Sequence, residues 1–494
     1  MVPGRRSCLG LSAAVLFSVC CQALLPGRVA GAEATQASGQ VASAAVPPAE
    51  EGPERLKREA RITVETNVPP ASGSVPKGKS SLWNVTWDGW NGLHYELSTK
   101  TPINDPFAAV RENIQGTNAH QVFNLEQIKM NGKIGGKLAV DAAAYVTGKD
   151  FQDFNGGIEV RRARLYAQGD CILLLPVSYQ LEIGYIPNEF YIEESYLKFK
   201  PIPYIGELKV GQYQSPMGLE VVSSTRDIPF METSAPMQAL APGVNAGMQI
   251  GRPVFSERAA WALGLFTDGV GKDYGDASRD FARAITRLTA LPVYRADPDQ
   301  PGSARLLHLG LSANILYSGD STVRYQARPE SHLAPYVVDT GNISSEGALV
   351  VGAEAAWIHG PFSVQGEFLH SFVQQPEGSP LDLNGLYGSV SWFLTGETRP
   401  YNRTDGTLAR VIPRHNFDWG KGGWGAWEVA GRVSYVDLNS GDVQGGRLAM
   451  FMAGVNWHLH SHVKWRFDYG FGRVSDHQPE GNFNIFQTRV EVDF

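Results

Sequence analysis

Cationic side chains recur at every second position in several segments of the chain. Arg162 and Arg164 are separated by one residue, as are Lys198 and Lys200. In a β-strand such positions lie on the same face. Guanidinium and ammonium groups bind phosphate and other anions, Arg through a two-pronged fork and Lys as a point charge. The spacing therefore predicts a polar sheet face that binds or conducts anions.

The alternation predicts which cations share that face. Nine are predicted to line a pore or bind anions: Arg162, Arg164, Lys198, Lys200, Lys209, Arg226, Arg324, Arg328 and Arg466. The same alternation places a similar number of carboxylates, among them Glu182, on the inward face. Ion pairing between these carboxylates and the cations would brace the barrel wall, and it is the competing interpretation for each cation. It also places Arg161 on the opposite face, at a membrane boundary.

The elements that must carry these residues are strands of about ten residues divided by Gly, Asp, Pro or Asn. Residues 307–317 alternate between apolar and polar side chains, as do residues 463–471 and the last ten residues. Sixteen or seventeen segments show this pattern, with weaker examples near 280–290 and 321–328. Because closed bacterial barrels have an even number of strands, we predict an all-β fold, a sixteen-stranded antiparallel transmembrane β-barrel with inward-folded loops.

A soluble β-sandwich also alternates, but two features favour the barrel. Aromatic residues such as Trp357, Trp392 and Trp457 fall near strand ends, as expected at the two membrane interfaces. The chain ends on Phe494 after an alternating strand, which predicts that the barrel assembly machinery recognises this terminus.

Four regions are predicted along the chain. Residues 1–32 read as a signal peptide, with Arg5 and Arg6 before an apolar run and small residues at the cleavage site, so the protein is expected in the outer membrane. Residues 33–61 read as a flexible periplasmic tether without aromatic residues. Residues 62–122 read as an irregular segment with short strands, and residues 123–494 as the barrel.

Several segments together resemble the phosphate-selective porin O and P family over roughly residues 125–494. They are residues 160–166 (Val-Arg-Arg-Ala-Arg-Leu-Tyr), 193–196, 208–213, 218–224, 230–232, 392–397, 425–428 and 454–457. The resemblance implies a homotrimeric sixteen-stranded porin, narrowed by inward-folded loops and lined by a ladder of Arg and Lys that conducts anions. It also implies that Gln214 to Gly243 is the constricting loop. Glu232 is followed there by Thr233 where the family has a basic residue, and Arg226 is the loop's single cation.

Composition and motifs exclude other classes of function. The formal net charge of -7 argues against a nucleic-acid partner. No zinc-protease, phosphate-loop or serine-hydrolase motif occurs, so we expect no enzyme activity, no cofactor and no metal. His458, His460 and His462 alternate, but turn residues are the favoured interpretation over a metal site. The cations of residues 396–423 would collect anions at the pore mouth, bind anionic lipopolysaccharide, or form a solvated loop.

The leading hypothesis is an outer-membrane channel for passive diffusion of small anions, with phosphate or polyphosphate as candidates. The alternatives are a weakly selective general porin, an outer-membrane barrel enzyme and a secreted β-sandwich binding protein. Small anions and outer-membrane lipid are the expected partners.

Overall fold

The computed structural model describes residues 61–65, 82–89, 92–98, 129–149, 151–172, 176–186, 189–268, 282–295, 304–317 and 322–494. The predicted signal peptide and nearly all of the predicted tether lie outside the described residues.

Sixteen long antiparallel strands form a closed barrel, so the predicted strand number is confirmed. They are β4 (Lys129–Thr147), β5 (Gly157–Ile172), β6 (Pro176–Ile186), β7 (Glu189–Ile202), β8 (Gly206–Gln214), β9 (Val244–Val254), β10 (Ala259–Asp268), β11 (Ala282–Arg295), β12 (Arg305–Tyr317), β17 (Gly347–His359), β18 (Phe362–Gln374), β19 (Leu381–Phe393), β22 (Ala426–Ser440), β23 (Val443–His460), β24 (Val463–Ser475) and β25 (Gly481–Asp493). Each pairs with its neighbour, and β25 pairs with β4.

Closure depends on the last residues of the chain. Phe494 exchanges backbone hydrogen bonds with Gly136 of β4, at N···O distances of 3.0 and 3.2 Å. The Tyr166 hydroxyl donates to the Phe494 carbonyl over 2.9 Å. A side chain on Gly136 would collide with the Phe494 ring, because a Cβ there would lie 2.7 Å from it. The Phe494 ring therefore packs against the first barrel strand at a position where only glycine leaves room for it.

The two faces of the wall have the polarity of a membrane barrel. On β12, Leu311 and Ile315 are 63% and 57% exposed, whereas the alternating His308 and Asn314 are 0% and 3% exposed. A soluble protein buries the first pair and exposes the second. This inversion places the apolar face against lipid and the polar face in the lumen.

Aromatic side chains form part of a belt on the outer face near one end of the barrel. The rings of Trp427, Trp457 and Trp465 follow one another across β22, β23 and β24, with centroids 5.0 and 6.4 Å apart. Trp357 and Trp392 are about half exposed on strands nearby. Such belts lie at membrane interfaces.

Three short strands precede the barrel: β1 (Arg61–Glu65), β2 (Leu82–Trp87) and β3 (Leu93–Ser98). They form an antiparallel series in which β3 pairs with residues 129–134 of β4. β25 pairs with β4 only from residue 137 onward. The N-terminal strands therefore extend the wall beyond the point where the last barrel strand ends.

We call the end where β4 begins and β25 ends the terminal end, and the other end the distal end. Two distal loops are loop A (residues 215–243), with helices α1 (Leu219–Val222) and α2 (Ala235–Leu240), and loop B (residues 322–346). Loop C (residues 394–425) joins β19 to β22 at the terminal end. No helix in the described part of the chain has the length and apolar composition of a transmembrane helix.

The weak strand predicted near residues 321–328 is wrong. Loop B contains instead the two-residue strands β13 (Thr322–Val323), β14 (Gln326–Ala327), β15 (Val338–Asp339) and β16 (Ile343–Ser344), paired β13 with β16 and β14 with β15. Loop C has a similar pair, β20 (Tyr401–Asn402) and β21 (Thr407–Leu408). The alternation near 321–328 thus reflects a short hairpin, so Arg324 and Arg328 are not on the barrel wall.

Deleting Phe494 should impair barrel closure while leaving export intact. The deletion removes the exchanged hydrogen bonds with Gly136 and exposes the edge of β4. We expect less heat-modifiable folded barrel in outer-membrane fractions on detergent electrophoresis. Phe494→Trp, which keeps the backbone pair and an aromatic ring, should retain more folded barrel than the deletion. Normal levels of folded protein after the deletion would contradict this assignment.

Candidate functional site: the barrel lumen

Loop A folds into the lumen, as its length predicts. Met217, Leu219, Ile228 and Phe230 are at most 1% exposed, although no barrel strand contains them. A hairpin normally needs two to five residues, so a connection of this length is available to fill space inside the barrel. The predicted inward-folded loop is confirmed.

Wall cations hold loop A by its backbone carbonyls. Arg466 of β24 donates to the Phe230 and Arg226 carbonyls, both over 2.8 Å. Asn456 of β23 donates to the Pro229 carbonyl over 2.7 Å, and Lys464 to the Arg226 carbonyl over 3.2 Å. Because a charged donor makes a stronger hydrogen bond than a neutral one, these contacts fix the path of the loop.

Glu232 is the loop's ionic anchor. Its carboxylate lies 2.9 Å from Nε of Arg161 and 2.5 Å from Nη2 of Arg489. Arg489 also pairs with Asp141 of β4 at 2.6 Å. Burial would raise the pKa of the Glu232 carboxyl, but the guanidinium groups of Arg161, Arg489 and Arg162 hold it well below its usual range.

A β-bulge corrects the predicted orientation of Arg161. Ala139 pairs with Arg162, but the next residue of β4, Val140, pairs with Val160, so Arg161 is an extra residue. The bulge turns Arg161 toward Glu232 in the lumen and leaves Arg162 facing inward as well. Strict alternation predicted opposite faces, and it fails at a bulge.

A buried carboxylate caps the first helix of loop A. Glu367 of β18 accepts hydrogen bonds from the backbone N–H groups of Leu219 and Glu220, both at 2.7 Å. Tyr387 of β19 donates to the same carboxylate over 2.6 Å. Unpaired N–H groups at the start of a helix favour a negative charge, so β18 and β19 position α1.

Loop B meets loop A at Arg432 of β22. Nη1 of Arg432 lies 2.8 Å from Glu220 of loop A, and its Nε donates to Glu330 of loop B over 3.0 Å. Glu330 also accepts from the backbone N–H of Ala235 over 3.0 Å. Burial raises the pKa of the Glu220 carboxyl despite the attraction of Arg432. One buried guanidinium therefore joins the wall to both distal loops.

Loop C enters from the terminal end and reaches loop A. Arg399 donates to the Asp227 carbonyl over 2.8 Å and forms an ion pair with Glu428 of β22. The backbone N–H of Leu408 donates to Oγ of Ser223 over 3.0 Å. Of the three alternatives for residues 396–423, the solvated loop does not fit Arg399 and Leu408, which are buried.

Asp493 joins loops A and C to the last strand. It pairs with Arg226 of loop A at 2.6 Å and with Arg410 of loop C. Arg403 of the same loop pairs with Glu257. Several of the cations that were predicted to collect anions are therefore engaged with carboxylates or carbonyls.

The lumen is left open along one side. A cavity of about 280 Å³ lies between the walls of β7 to β11 and the tip of loop C. Lys198 and Lys209 line it, together with Arg287, which donates to the Gly406 carbonyl over 2.8 Å. The Lys209 ammonium lies 3.8 and 3.9 Å from the ring centroids of Tyr196 and Tyr213. Solvent space beside the loops thus passes cationic side chains.

The predicted site residues differ in their partners. Arg162 is 6% exposed, and its Nη1 has no hydrogen-bond partner. Arg164 pairs with Glu182 at 3.1 Å and Glu193 at 2.8 Å. Lys198 and Lys200 share Glu207, at 3.2 and 3.3 Å. Most of these cations are both lumenal and paired.

The other four predicted residues do not line open solvent space on the barrel wall. They are covered by a loop or belong to one. Arg466 is 0% exposed, behind loop A. Arg226 is within loop A and partly exposed. Arg324 pairs with Asp339 inside loop B, and Arg328 donates to the His332 carbonyl over 2.9 Å. All four therefore contact other protein groups in ways that the strand alternation did not predict.

Sequence reasoning missed Arg161 and the capping carboxylate Glu367 as functional positions. The bulge at Arg161 has no sequence signal, whereas the unusual polar inward position of Glu367 is visible in the alternation of β18. His458 is buried and 3.5 Å from Glu428. In the described part of the chain, no three His, Cys, Asp or Glu side chains are placed to hold a metal ion.

Comparison with known proteins agrees with this architecture. The family model described as phosphate-selective porin O and P matches residues 133–494. The chain belongs to this family. It is therefore an outer-membrane channel and not an enzyme.

Individual relatives are distant. An uncharacterised protein of Caulobacter vibrioides is 27% identical over 384 residues, covering 73% of this chain and 74% of that protein. Porin O of Pseudomonas aeruginosa is 24% identical over 405 residues, covering 73% and 88%. Among solved structures, the anion-selective porin of Comamonas acidovorans has a TM-score of 0.48 at 12% identity, covering 74% of this chain and 100% of that chain.

Glu232→Gln should loosen loop A and raise single-channel conductance. Breaking a buried ion pair by removing one partner costs about 3 kcal/mol. Arg161 would lose its carboxylate partner, and Arg489 would keep only Asp141. Planar-bilayer recordings should show a larger and noisier open level. Glu377→Gln, at an exposed distal position, is the matched control. Conductance equal to that of the control would show that Glu232 does not hold the constriction.

Acid should have the same effect on the unmodified channel. Because the pKa of Glu232 is lowered on folding, its contribution is complete above the usual value of 4.5 and is lost as pH falls through the lower folded pKa. Conductance should therefore be steady from pH 7 to 5 and rise only in strong acid, at pH values well below 4.5. Glu232→Gln should show a smaller rise, and identical acid responses would count against this mechanism.

Proposed function

We propose that the channel conducts small anions by passive diffusion, with phosphate as the candidate physiological anion. The observation that carries this proposal is Arg162, whose guanidinium is buried in the lumen with an unpartnered Nη1. A buried donor without an acceptor costs about 1–3 kcal/mol. The charge of this group would attract an anion in the lumen and repel a cation.

The surroundings of Arg162 support the same conclusion. Arg161, Arg164 and Arg489 lie close enough to act on its charge, and the carboxylates of Glu232 and Glu491 oppose these cations. Within a narrow lumen, low-dielectric walls strengthen each of these charges. The part of the lumen beside loop A therefore favours an anion over a cation. The paired N–H donors of an Arg side chain match two oxygens of a phosphate.

Weak selectivity is the second candidate, and a specific observation favours it. Arg164, Lys198 and Lys200 are each paired with carboxylates, so their charges are partly neutralised within the wall. In that case the ladder braces the barrel, and only Arg162 and Lys209 bias the ion current.

Four further features rest on the family and the sequence. We propose that residues 1–32 are removed on export and that the protein assembles as a homotrimer in outer-membrane lipid. The assembly machinery would recognise the strand that ends at Phe494. Crosslinking of the folded protein in membranes, read by size, tests the trimer.

Replacing Arg162 by Gln should reduce anion preference. Removing one uncompensated charge worth roughly 1 kcal/mol should lower the anion-to-cation permeability ratio about fivefold. The measurement is the reversal potential in a salt gradient, first with chloride and then with phosphate. Arg162→Lys, which keeps the charge, should retain most of the preference for chloride.

Two controls make the result specific. Arg324→Gln removes an equal charge from a half-exposed site in loop B and should leave the reversal potential nearly unchanged. Arg164→Gln should mainly lower thermal stability, because Glu182 and Glu193 lose a shared partner. A cation-preferring unmodified channel, or an Arg162→Gln channel with unchanged selectivity, would refute the anion proposal.

A further inference from the structure

A groove of about 760 Å³ opens on the lumenal side of the wall at the terminal end. It is lined by strands β3 to β7, and it meets the 280 Å³ cavity at Tyr196 and Lys198, which line both. A water molecule occupies about 30 Å³, so the groove is far larger than an inorganic phosphate needs. Its volume lies in the range of small-molecule binding sites.

Two parallel rows of polar side chains cross the groove. In the first, the cross-strand register places in sequence His94, Lys133, Gln168, Gln180 and Tyr196. In the second, it places Glu96, Asn131, Asp170, Ser178 and Lys198. Adjacent strands are about 4.8 Å apart, so each row is about 19 Å long. The rows present donors and acceptors side by side over the length of a small organic molecule.

The second row ends on Lys198, and the first ends on Tyr196, whose ring contacts the Lys209 ammonium. Lys198 is the cross-strand neighbour of Lys209, and Lys200 is 41% exposed nearby. Glu207 is shared by Lys198 and Lys200, so one carboxylate opposes two ammonium groups there. The section of the groove away from these lysines carries charges of both signs, Lys133 against Glu96 and Asp170, among amide and hydroxyl groups. At the other end, the ammonium groups of Lys198, Lys200 and Lys209 outnumber the carboxylates of Glu207 and Glu194.

The N-terminal strand β3 completes the groove. His94 and Glu96 stand at the outer end of the two rows, and β3 pairs with β4 where β25 has already ended. Nε2 of His94 is buried and has no hydrogen-bond partner. A donor or acceptor is therefore available at the end of the groove opposite the lysines.

We propose that this groove binds a phosphate ester of a sugar or another polyol. Hydroxyl groups of the ligand would lie along Asn131 and Gln168, whose amide side chains offer both donors and acceptors. The phosphate would lie at Lys198, Lys200 and Lys209. This inference rests on the proposed anion conduction. It specifies phosphate esters as the larger anions that the same channel would bind.

The test uses the full-length channel in planar bilayers with glucose 6-phosphate, glucose and inorganic phosphate as probes. Glucose 6-phosphate added on the terminal side should interrupt the current for at least about fivefold longer than phosphate, as expected from one additional hydrogen bond. Glucose should give no interruption of comparable length. Addition on the distal side should give fewer events, since loop A precedes the groove.

Gln168→Ala should shorten the glucose 6-phosphate events about fivefold and leave phosphate events unchanged. Asn131→Ala, at an exposed position on β4, is a second variant should the first fold poorly. His94→Ala tests the contribution of β3. Gln374→Ala, at the distal end of β18, is the matched control and should change neither probe.

The outcomes separate this proposal from the preceding one. An anion-preferring channel that does not distinguish glucose 6-phosphate from phosphate would overturn the groove assignment alone. A cation-preferring channel would overturn both. Equal event durations in Gln168→Ala, Asn131→Ala and the control would also refute the groove, because the amide side chains of its rows would then have no part in binding.

Discussion

Donation from wall cations to the backbone of loop A is the interaction on which the lumen depends. Arg466 binds the carbonyls of Arg226 and Phe230, while Arg489 and Arg161 hold the carboxylate of Glu232. Backbone carbonyls are present whatever the loop sequence, so the wall can fix the course of the loop through them. The price is that these guanidinium groups cannot also face the permeating ion.

This division of cations explains why a near balance of charges in the lumen is compatible with a selective channel. Arg432 and Arg489 are engaged with carboxylates and carbonyls of the protein, and Arg466 donates to loop A through both of its terminal nitrogens. Arg162 and Lys209 have different surroundings. Nη1 of Arg162 has no hydrogen-bond partner, and the Lys209 ammonium lies against two tyrosine rings. Selectivity therefore depends on which charges remain uncompensated, and a count of charges alone does not measure it.

The barrel could be predicted from the sequence because period-two alternation is a local property of each strand. Residues 307–317 and the strand ending at Phe494 were assigned correctly for that reason. The same rule failed near residues 321–328, where the paired strands within loop B are only two residues long, and at Arg161, where a bulge inserts one residue. The partners of Arg466 depend on a loop more than 220 residues away in sequence, so no local pattern could reveal them.

The position of Asp493 next to the chain terminus has a consequence for the order of assembly. β25 contributes Arg489, Glu491 and Asp493 to the contacts that seat loops A and C. Until that strand has paired with β4, the two loops lack these contacts, including the pairs that Asp493 makes with Arg226 and Arg410. The narrow passage is thus produced by the same event that seals the wall, and a barrel left unsealed would leak solutes that the finished channel excludes.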